Sequence, residues 1–340
     1  MNEKQQNIRL YIPIYLIIVC IYIIAGVIQP IFFTWNNNVN LFTRITPLIF
    51  AGLAQTFVML AGGIDLSIGA IIGITNVIAA SFPYPDTPIN IILWLFVPLL
   101  VGLAIGLING LIISKGGFPP LIVTLATGAI WLGATLYIMP IPGGTISLSV
   151  SRAVTGKLFK VIPSPLLIFL VTIIICHFIL RKTRFGRSIY ALGGDETIAY
   201  ESGIPCNKVK IWVYGISGLL GACSGMFLSA WMFSADPLIG QPYILNSIAV
   251  AVISGTSLSG GRGGVIGIIG GAYIFYLLNN ILNLLAISSF YQYVAKGLIL
   301  ILALIFTSSG VNLNPKEWFG GYFYKKGRLL KKAGNDEQKN

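Results

Sequence analysis

Residues 90–114 read NIILWLFVPLLVGLAIGLINGLIIS, an apolar run of 25 residues without a charged side chain. A helix needs about 20 apolar residues to cross the hydrocarbon core of a bilayer, so this run predicts a membrane span. The whole chain has the same character: of 340 residues, 56% are apolar and 9% are charged. Soluble domains carry about 25% charged residues. The composition therefore excludes a disordered chain, a coiled coil and an ordinary soluble enzyme, and it predicts an all-α integral membrane protein.

Apolar runs of this kind predict about ten transmembrane helices. They lie at about residues 10–29, 41–61, 66–82, 90–114, 119–139, 164–181, 209–232, 245–257, 264–286 and 291–308. The run at 245–257 is short for a span, so we expect it to form a half-helix or to join the glycine-rich stretch that follows. The spans divide the chain into an N-terminus (1–9), a transmembrane domain (10–308) and a basic tail (309–340).

The charge is strongly basic, with 22 Lys and Arg against 10 Asp and Glu. In a soluble protein this excess would indicate a nucleic-acid partner, but in a membrane protein basic residues collect in cytoplasmic loops. With the N-terminus inside and ten spans, seventeen basic residues fall in inside segments and four in outside segments. Lys296 lies within the last span. The charges therefore predict cytoplasmic N- and C-termini, contact of the tail with anionic lipid, and no nucleic-acid partner.

Polar side chains inside the apolar runs are candidates for contact with a polar solute, because polar groups in hydrocarbon are costly. For each Asn, Ser or Thr the alternative is a hydrogen bond between helices. Asp65 follows Gly62-Gly63 and precedes an apolar helix, whose first amides and dipole would stabilise a carboxylate. The candidates for the solute path are Asp65, Ser67, Asn76, Asn109, Thr124, Asn246 and Ser247.

Glycines recur every three or four residues in several spans, as at Gly102, Gly106 and Gly110 and again at 215–225. Small residues at this spacing let helix backbones approach closely in lipid. The pattern predicts a tightly packed bundle.

The sequence holds no energy-converting site of its own. A P-loop needs G-x-x-x-x-G-K-[ST], but the one Gly-Lys pair, Gly156-Lys157, is followed by Leu158. Residues 258–262 (LSGGR) imitate a signature of ABC ATPases, yet they stand between two apolar spans without a P-loop. Intramembrane acids, which ion-coupled carriers need, are almost absent. The single histidine and four scattered cysteines offer no metal cage, and we expect no cofactor.

The longest inside loop, 181–210, contains the pattern of a short helix. Asp195 and Glu196 suit a helix N-terminus, and Gly203 with Pro205 ends the helix. The residues between them include Ile198, Ala199 and Tyr200, which predict a small apolar patch. From the residues alone, a plain connector and a docking helix for a soluble partner remain equally open.

Several spaced motifs resemble those of ribose-type ABC sugar importer permeases. Residues 62–69 (GGIDLSIG) resemble the family segment G-G-[IM]-D-L-S-V-G. Asn109-Gly110 with residues 119–125 (PPLIVTL) resembles N-G…P-x-F-I-V-T-L. The stretches 184–204 and 255–263 (GTSLSGGRG) resemble the family's cytoplasmic loop and its G-G-T-S-L-x-G-G-x-G turn. The resemblance extends from about residue 40 to residue 308.

This resemblance implies the permease subunit of an ATP-driven, binding-protein-dependent importer for a monosaccharide such as ribose, in the bacterial cell membrane. It implies a cytoplasmic ATPase, a second permease chain and an extracytoplasmic sugar-binding protein as partners. The loop 181–210 then corresponds to the ATPase-coupling loop, with Gly194, Asp195, Glu196, Ala199 and Gly203 as coupling residues. In alternating access, we expect the flexible joints and packing points at Gly62, Gly63, Gly260, Gly261 and Gly263.

The sequence departs from the family pattern at two places that bear on its partners. Asp195 stands where the loop usually has Asn, and Ile244 stands where the family has an acid before the eighth span. The missing acid raises the hypothesis that this chain is one half of a heterodimer. Two rival functions stay open: an ABC permease for a branched-chain amino acid, nucleoside or signal sugar, and an ion-coupled secondary carrier.

Overall fold

The computed structural model describes residues 16, 18–20, 22–23, 26–27, 30–81, 87–158, 162–288, 290–292, 294–295 and 297–298. The predicted termini at 1–9 and 309–340, most of the first and last predicted spans, and Lys296 lie outside the described residues. The described part is a helical bundle whose only sheet is a two-stranded antiparallel ribbon, β1 (Lys157–Leu158) with β2 (Ile162–Pro163).

A 3-10 turn, Pro30–Phe33, precedes the first long helix. The α-helices that follow it are α1 (Trp35–Leu60), α2 (Ile68–Ala80), α3 (Pro88–Gly116), α4 (Pro120–Ile138), α5 (Leu148–Thr155), α6 (Ser164–Lys182), α7 (Arg184–Gly194), α8 (Glu196–Glu201), α9 (Cys206–Met232), α10 (Gln241–Ile253) and α11 (Gly267–Leu284).

Five helices in the described part are long and apolar enough to cross a membrane: α1, α3, α4, α6 and α9. They coincide with the predicted runs at 41–61, 90–114, 119–139, 164–181 and 209–232. Their starts follow ordinary capping chemistry: the Thr34 hydroxyl accepts a hydrogen bond from the Asn37 amide before α1, and Thr87 does the same for Asn90 before α3. The helical membrane-protein class predicted from composition is thus confirmed by these spans.

Two predicted spans, 66–82 and 245–257, form helices too short to cross a bilayer alone. Helices α2 and α10 have 13 residues each. At 1.5 Å per residue each is about 20 Å long, against about 30 Å of hydrocarbon. The half-helix expected at 245–257 is present, and the run 66–82, predicted as a span, likewise forms a helix of only 13 residues. Helix α2 is almost entirely buried, so its ends lie where protein surrounds the interrupted backbone.

Helix α9 forms the centre of the bundle because its glycines let two neighbours approach. A Cβ on Gly102 of α3 would lie 2.5 Å from the carbonyl oxygen of Gly218. About two turns further along, a Cβ on Gly110 would lie 2.6 Å from the Cα of Ile211. On its other side α9 contacts α2, where a Cβ on Gly221 would lie 3.0 Å from Ile71. The glycine spacing therefore predicted this packing correctly.

The connecting segments meet at two ends of the bundle. At one end the turns after α1, α7 and α10 are in contact, and the Gly261 amide donates to the Leu60 carbonyl over 3.0 Å. At the other end the Thr145 amide donates to Ala80 over 3.1 Å, and Gly143 pairs with Ala235. The charge analysis predicts that the first group of turns lies on the cytoplasmic side of the membrane and the second group on the outer side.

Candidate coupling site

Helix α8 is a short surface helix closed at both ends by side-chain and glycine caps. The Asp195 carboxylate accepts a hydrogen bond of 3.0 Å from the Ile198 amide. At the other end Gly203 has a φ of +79°, its amide donates to Tyr200, and the Ile204 amide donates to Ala199. This pair of bonds is a Schellman motif, which needs a left-handed residue at the position of Gly203. The predicted helix start at Asp195 and stop at Gly203 are confirmed.

The exposed face of α8 carries two large apolar side chains. Ile198 is 62% exposed and Tyr200 is 73% exposed, whereas Ala199 between them is only 3% exposed. Of the predicted apolar patch of three residues, only Ile198 and Tyr200 are therefore open to a partner. The Ala199 side chain faces the protein and packs in the hydrophobic core.

Glu196 ties α8 to the beginning of α9. Its carboxylate accepts a hydrogen bond of 2.6 Å from the Lys210 ammonium, and both groups are solvent-accessible. An exposed pair of this kind contributes about 0–1 kcal/mol. The ion pair therefore helps to orient α8 against α9 but contributes little to the stability of the fold.

A second helix, α7, precedes α8 inside the segment that the sequence analysis treated as a loop. The Thr183 hydroxyl accepts from the Gly186 amide over 3.1 Å and caps its start. Ile189 and Leu192 are buried, while Phe185 packs on the same core. The apolar spacing of Phe185, Ile189 and Leu192 is the signal that would have identified α7.

Helix α7 ends at a contact of backbones that we call the glycine junction: Gly62, Gly193, Gly260 and Gly261. A Cβ on Gly193 would overlap the Leu60 carbonyl and lie 2.6 Å from the amide nitrogen of Gly261. A Cβ on Gly260 would lie 3.0 Å from the Cα atoms of both Gly193 and Gly62. The end of α7 therefore touches the turn after α1 and the turn after α10 at once, with no side chain between the backbones.

Three of the junction glycines also need left-handed backbone angles. The φ angles are +83° at Gly62, +84° at Gly260 and +67° at Gly261. These angles are costly for residues with a Cβ. Helices α1 and α10 end in the same way, in a Schellman-type motif with a left-handed glycine, Gly62 after α1 and Gly255 (φ +87°) after α10.

A tyrosine adds a side-chain link between α7 and the turn after α10. The Tyr190 hydroxyl donates to the Gly263 carbonyl over 3.0 Å, and the Arg181 guanidinium lies 5.3 Å from the Tyr190 ring centre. Gly263 itself has a φ of +134° and packs on Thr256. Sequence reasoning missed both Tyr190 and Gly193, whose partners are more than sixty residues away.

The remaining joint candidate, Gly63, faces a buried tyrosine. A Cβ on Gly63 would lie 2.5 Å from the Tyr214 hydroxyl oxygen. That hydroxyl is buried and has no hydrogen-bond partner among the described residues. Gly63 thus makes room for a polar atom of α9 beside the turn.

Asp65, Ser67 and Asn109 form one buried network. The Asp65 carboxylate accepts from the Ser67 amide (2.9 Å), the Ser67 hydroxyl (2.5 Å) and the Ser217 hydroxyl of α9 (2.8 Å). The Asn109 amide of α3 donates to the Ser67 hydroxyl over 2.8 Å. Asp65 lies just before α2, as predicted, while the part played by Ser217 was missed. The network joins α2, α3 and α9, and the Asn109 amide oxygen has no partner in the part of the chain that the structure describes.

Asn76 and Thr124 bond to backbone atoms of other segments. The Asn76 amide donates to Gly225 over 3.1 Å, and its oxygen accepts from the Asp236 amide over 3.0 Å. The Thr124 hydroxyl accepts from the Leu66 amide over 3.1 Å. These hydrogen bonds satisfy the buried polar groups of Asn76 and Thr124, so their burial requires no contact with a solute.

The two candidates on α10 make no hydrogen bond to that network among the described residues. The Ser247 hydroxyl donates to the Ile244 carbonyl of its own helix over 3.0 Å. Asn246 is half-buried, and its side chain makes no hydrogen bond with the described residues. Of the seven predicted path residues, hydrogen bonds therefore join Asp65, Ser67 and Asn109, with Thr124 bonded to the neighbouring Leu66 amide.

The comparison with protein families decides the kind of protein. Residues 37–304 match the model of the branched-chain amino acid transport system permease component. The chain belongs to this permease family. A ribose import permease of Haemophilus influenzae is 38% identical over 83% of this chain and 88% of its own length. This chain is also 32% identical to a D-allose transport permease of Escherichia coli, over 85% of this chain and 89% of the relative. It is 31% identical to an L-arabinose permease of Azospirillum brasilense, over 82% of this chain and 81% of the relative. No solved structure matches the permease.

Proposed function

We propose that this chain is the transmembrane subunit of an ATP-driven, binding-protein-dependent importer for a monosaccharide of the ribose type. The names of its relatives support the substrate class, since similar chains are described as ribose, D-allose and L-arabinose permeases. ATP hydrolysis takes place on a separate subunit, because the sequence has no P-loop.

The observation that carries this proposal is the position of α8. It is a capped surface helix with Ile198 and Tyr200 pointing outward, and it directly follows the helix that ends at the glycine junction. We infer that a groove of the ATPase receives these two side chains, as in helix-in-groove recognition. Movement of α8 would then reach the turns after α1 and α10 through α7.

In this proposal the coupling residues have separate tasks. Asp195 and Gly203 fix the two ends of α8, and Glu196 orients it against α9. Gly194 lies at the exposed link between α7 and α8, where a Cβ would meet no atom within 4 Å, so we assign it no task that requires a glycine. Ala199 supports the helix from beneath. The glycines at 62, 63, 260, 261 and 263 provide the joints at which the buried helices change direction.

Of the seven path candidates, we assign solute contact to Asn109 and Asn246, which keep polar atoms without partners among the described residues. Asp65, Ser67, Asn76, Thr124 and Ser247 hold helices together through the hydrogen bonds described above. A neutral sugar needs brief, weak contacts along its path, which two amides supply without a charge.

We further propose ten spans with both termini in the cytoplasm, residues 10–308 being the transmembrane permease domain and 181–210 its coupling loop. The excess of basic residues in the inside segments and the grouping of turns at two ends support this topology. The protein is placed in a bacterial cell membrane, with the tail 309–340 against lipid. Its partners are an ATPase, a sugar-binding protein and a second permease chain, identical or, given Ile244, different.

The test is reconstitution of the importer, purified with its co-purifying ATPase and binding protein, in proteoliposomes. We expect uptake of D-ribose that needs ATP, and no uptake driven by an ion gradient alone. Uptake of leucine instead of D-ribose, or ion-driven uptake by the permease alone, would contradict the proposal. Ile198→Asp should abolish ATP-driven uptake while the chain still inserts, and the matched control Ile198→Leu should keep it. Equal uptake by the Ile198→Asp and Ile198→Leu variants would refute the proposed docking role of α8.

A further inference from the structure

Arg44 lies inside a membrane-spanning helix, more than one turn from either end, and has no acidic partner in the described structure. Arg44 is the tenth residue of α1, inside the candidate span Asn37–Leu60, although the charge analysis counted it with the outside segments. The one ion pair among the described residues is that of Lys210 with Glu196, so no carboxylate there lies within 4 Å of Arg44. A charge at such a position is costly and indicates a solute or ion pathway.

Aromatic side chains from two other helices hold the guanidinium. Its central carbon lies 5.8 Å from the ring centre of Trp231 on α9, and the Tyr276 hydroxyl of α11 interacts with it. Arg44 is nevertheless exposed, and Trp231 is partly exposed. An arginine has five N–H donors in a fixed plane, so donors remain available beside these two contacts.

The helical register adds two amides to the same region. Asn40 precedes Arg44 by one turn on α1, and Asn280 follows Tyr276 by one turn on α11, so each pair shares a helix face. Because α1 runs toward the glycine junction and α11 away from it, both asparagines lie one turn farther from the junction. Neither amide has a hydrogen-bond partner among the described residues. The rings of Trp231 and Tyr276 therefore lie beside polar groups at two levels: Arg44 at the first, and Asn40 with Asn280 one turn farther out. This region lies toward the end of the bundle opposite the coupling site.

We propose that Asn40, Arg44, Trp231, Tyr276 and Asn280 form an outer reception site for a neutral, hydroxyl-rich solute. Amides, a phenol and a guanidinium can donate to sugar oxygens, and the amide and phenol oxygens can accept from sugar hydroxyls. The indole supplies the apolar surface, and a few placed polar groups beside it are the usual make-up of a small-molecule site. This inference rests on the proposed importer function and names the first permease residues that the released sugar meets.

The experiment uses the complete importer in proteoliposomes with D-ribose as the probe. It measures D-ribose uptake, ATP hydrolysis stimulated by the loaded binding protein, and capture of the binding protein by the permease. Arg44→Gln is compared with Arg152→Gln, which removes an exposed arginine from α5 in an outside segment. We expect Arg44→Gln to lower uptake about tenfold, the effect of losing hydrogen bonds from a charged group, with ATP hydrolysis and capture within about twofold of wild type. Arg152→Gln should leave all three unchanged.

Uptake by Arg44→Gln within about twofold of wild type would overturn the inference, as would loss of binding-protein capture, which would make Arg44 a docking contact instead. If Arg44→Gln does not assemble, Asn40→Ala with Asn280→Ala decides, because neither amide supports the described fold; unchanged uptake by this pair would overturn the inference. Wild-type protein that imports leucine but no sugar would refute the proposed function itself, so the two failures are distinguishable.

Discussion

Replacing Gly193 with alanine is expected to separate ATP hydrolysis from transport, because this residue brings three turns together. The added Cβ would overlap the Leu60 carbonyl and lie 2.6 Å from the Gly261 nitrogen. Both obstacles are backbone atoms, so no side-chain rotation relieves the overlap. Helix α7 has to move away from the turns after α1 and α10.

The size of the effect follows from opposing contributions. Alanine is favoured over glycine in a helix by about 1 kcal/mol, which would stabilise α7. Overpacking costs about 1–3 kcal/mol. Separation of the turns also weakens the 3.0 Å bond from Gly261 to Leu60, worth about 1 kcal/mol. The net loss at the junction is about 1–3 kcal/mol, and about 1.4 kcal/mol already changes an equilibrium tenfold.

The next residue of the same helix provides the matched control. A Cβ on Gly194 would have no atom within 4 Å, so Gly194→Ala gains helix propensity without an overlap. Both variants are assembled with ATPase and binding protein in proteoliposomes, and D-ribose uptake and ATP hydrolysis are measured per folded complex. We expect Gly193→Ala to lower the ratio of sugar imported to ATP hydrolysed by about fivefold or more. Gly194→Ala should stay within about twofold of wild type.

Equal ratios for the two alanine variants would refute the transmission role of the junction. A Gly193→Ala protein that is less stable, yet imports normally per folded complex, would show that the contact serves packing alone. Tyr190→Phe offers a second perturbation without steric overlap, since it removes only the bond to Gly263. It should lower the same ratio in the same direction by a smaller factor.

Two further predictions concern the packing of α9, both measured by thermal unfolding in detergent. Ser217→Ala removes one of three hydrogen bonds to the buried Asp65 carboxylate and should destabilise the protein by about 1.5–3 kcal/mol; an unchanged midpoint would show that this bond contributes little. Gly106→Ala places a Cβ against the Tyr214 carbonyl and should cost about 1–3 kcal/mol, whereas Gly133→Ala, with open space around it, should be neutral or stabilising by up to about 1 kcal/mol; similar midpoints for the two would contradict the close approach of α3 to α9.

Much of the helical framework was predictable because it depends on neighbours along the chain. The long apolar runs gave the five spans, and Asp195 with Gly203 gave the bounds of α8, since capping acts within one turn. Helix α7 carried a readable spacing at Phe185, Ile189 and Leu192. The orientation of Ala199 was not readable, because a one-residue difference on a six-residue helix decides between core and solvent.

The site residues were harder, because polar type alone does not tell a solute contact from a link between helices. Asp65 was expected at a helix start, and it lies there. Its bond to Ser217, 152 positions away, had no local signal. Arg44 was counted as a topology signal at the edge of the predicted span 41–61, and the helix bounds Trp35–Leu60 place it well inside a helix.

The sequence by itself determined the class of the protein, the positions of its long helices and the capped helix α8, since composition, periodicity and capping are properties of adjacent residues. Only the tertiary structure decided that Gly62, Gly193, Gly260 and Gly261 meet, that α2 is too short to cross alone, and that Arg44 faces Trp231 and Tyr276. These features depend on the paths that the helices take between their ends. A glycine shows in sequence that a backbone can come close, and the fold alone shows which backbone does.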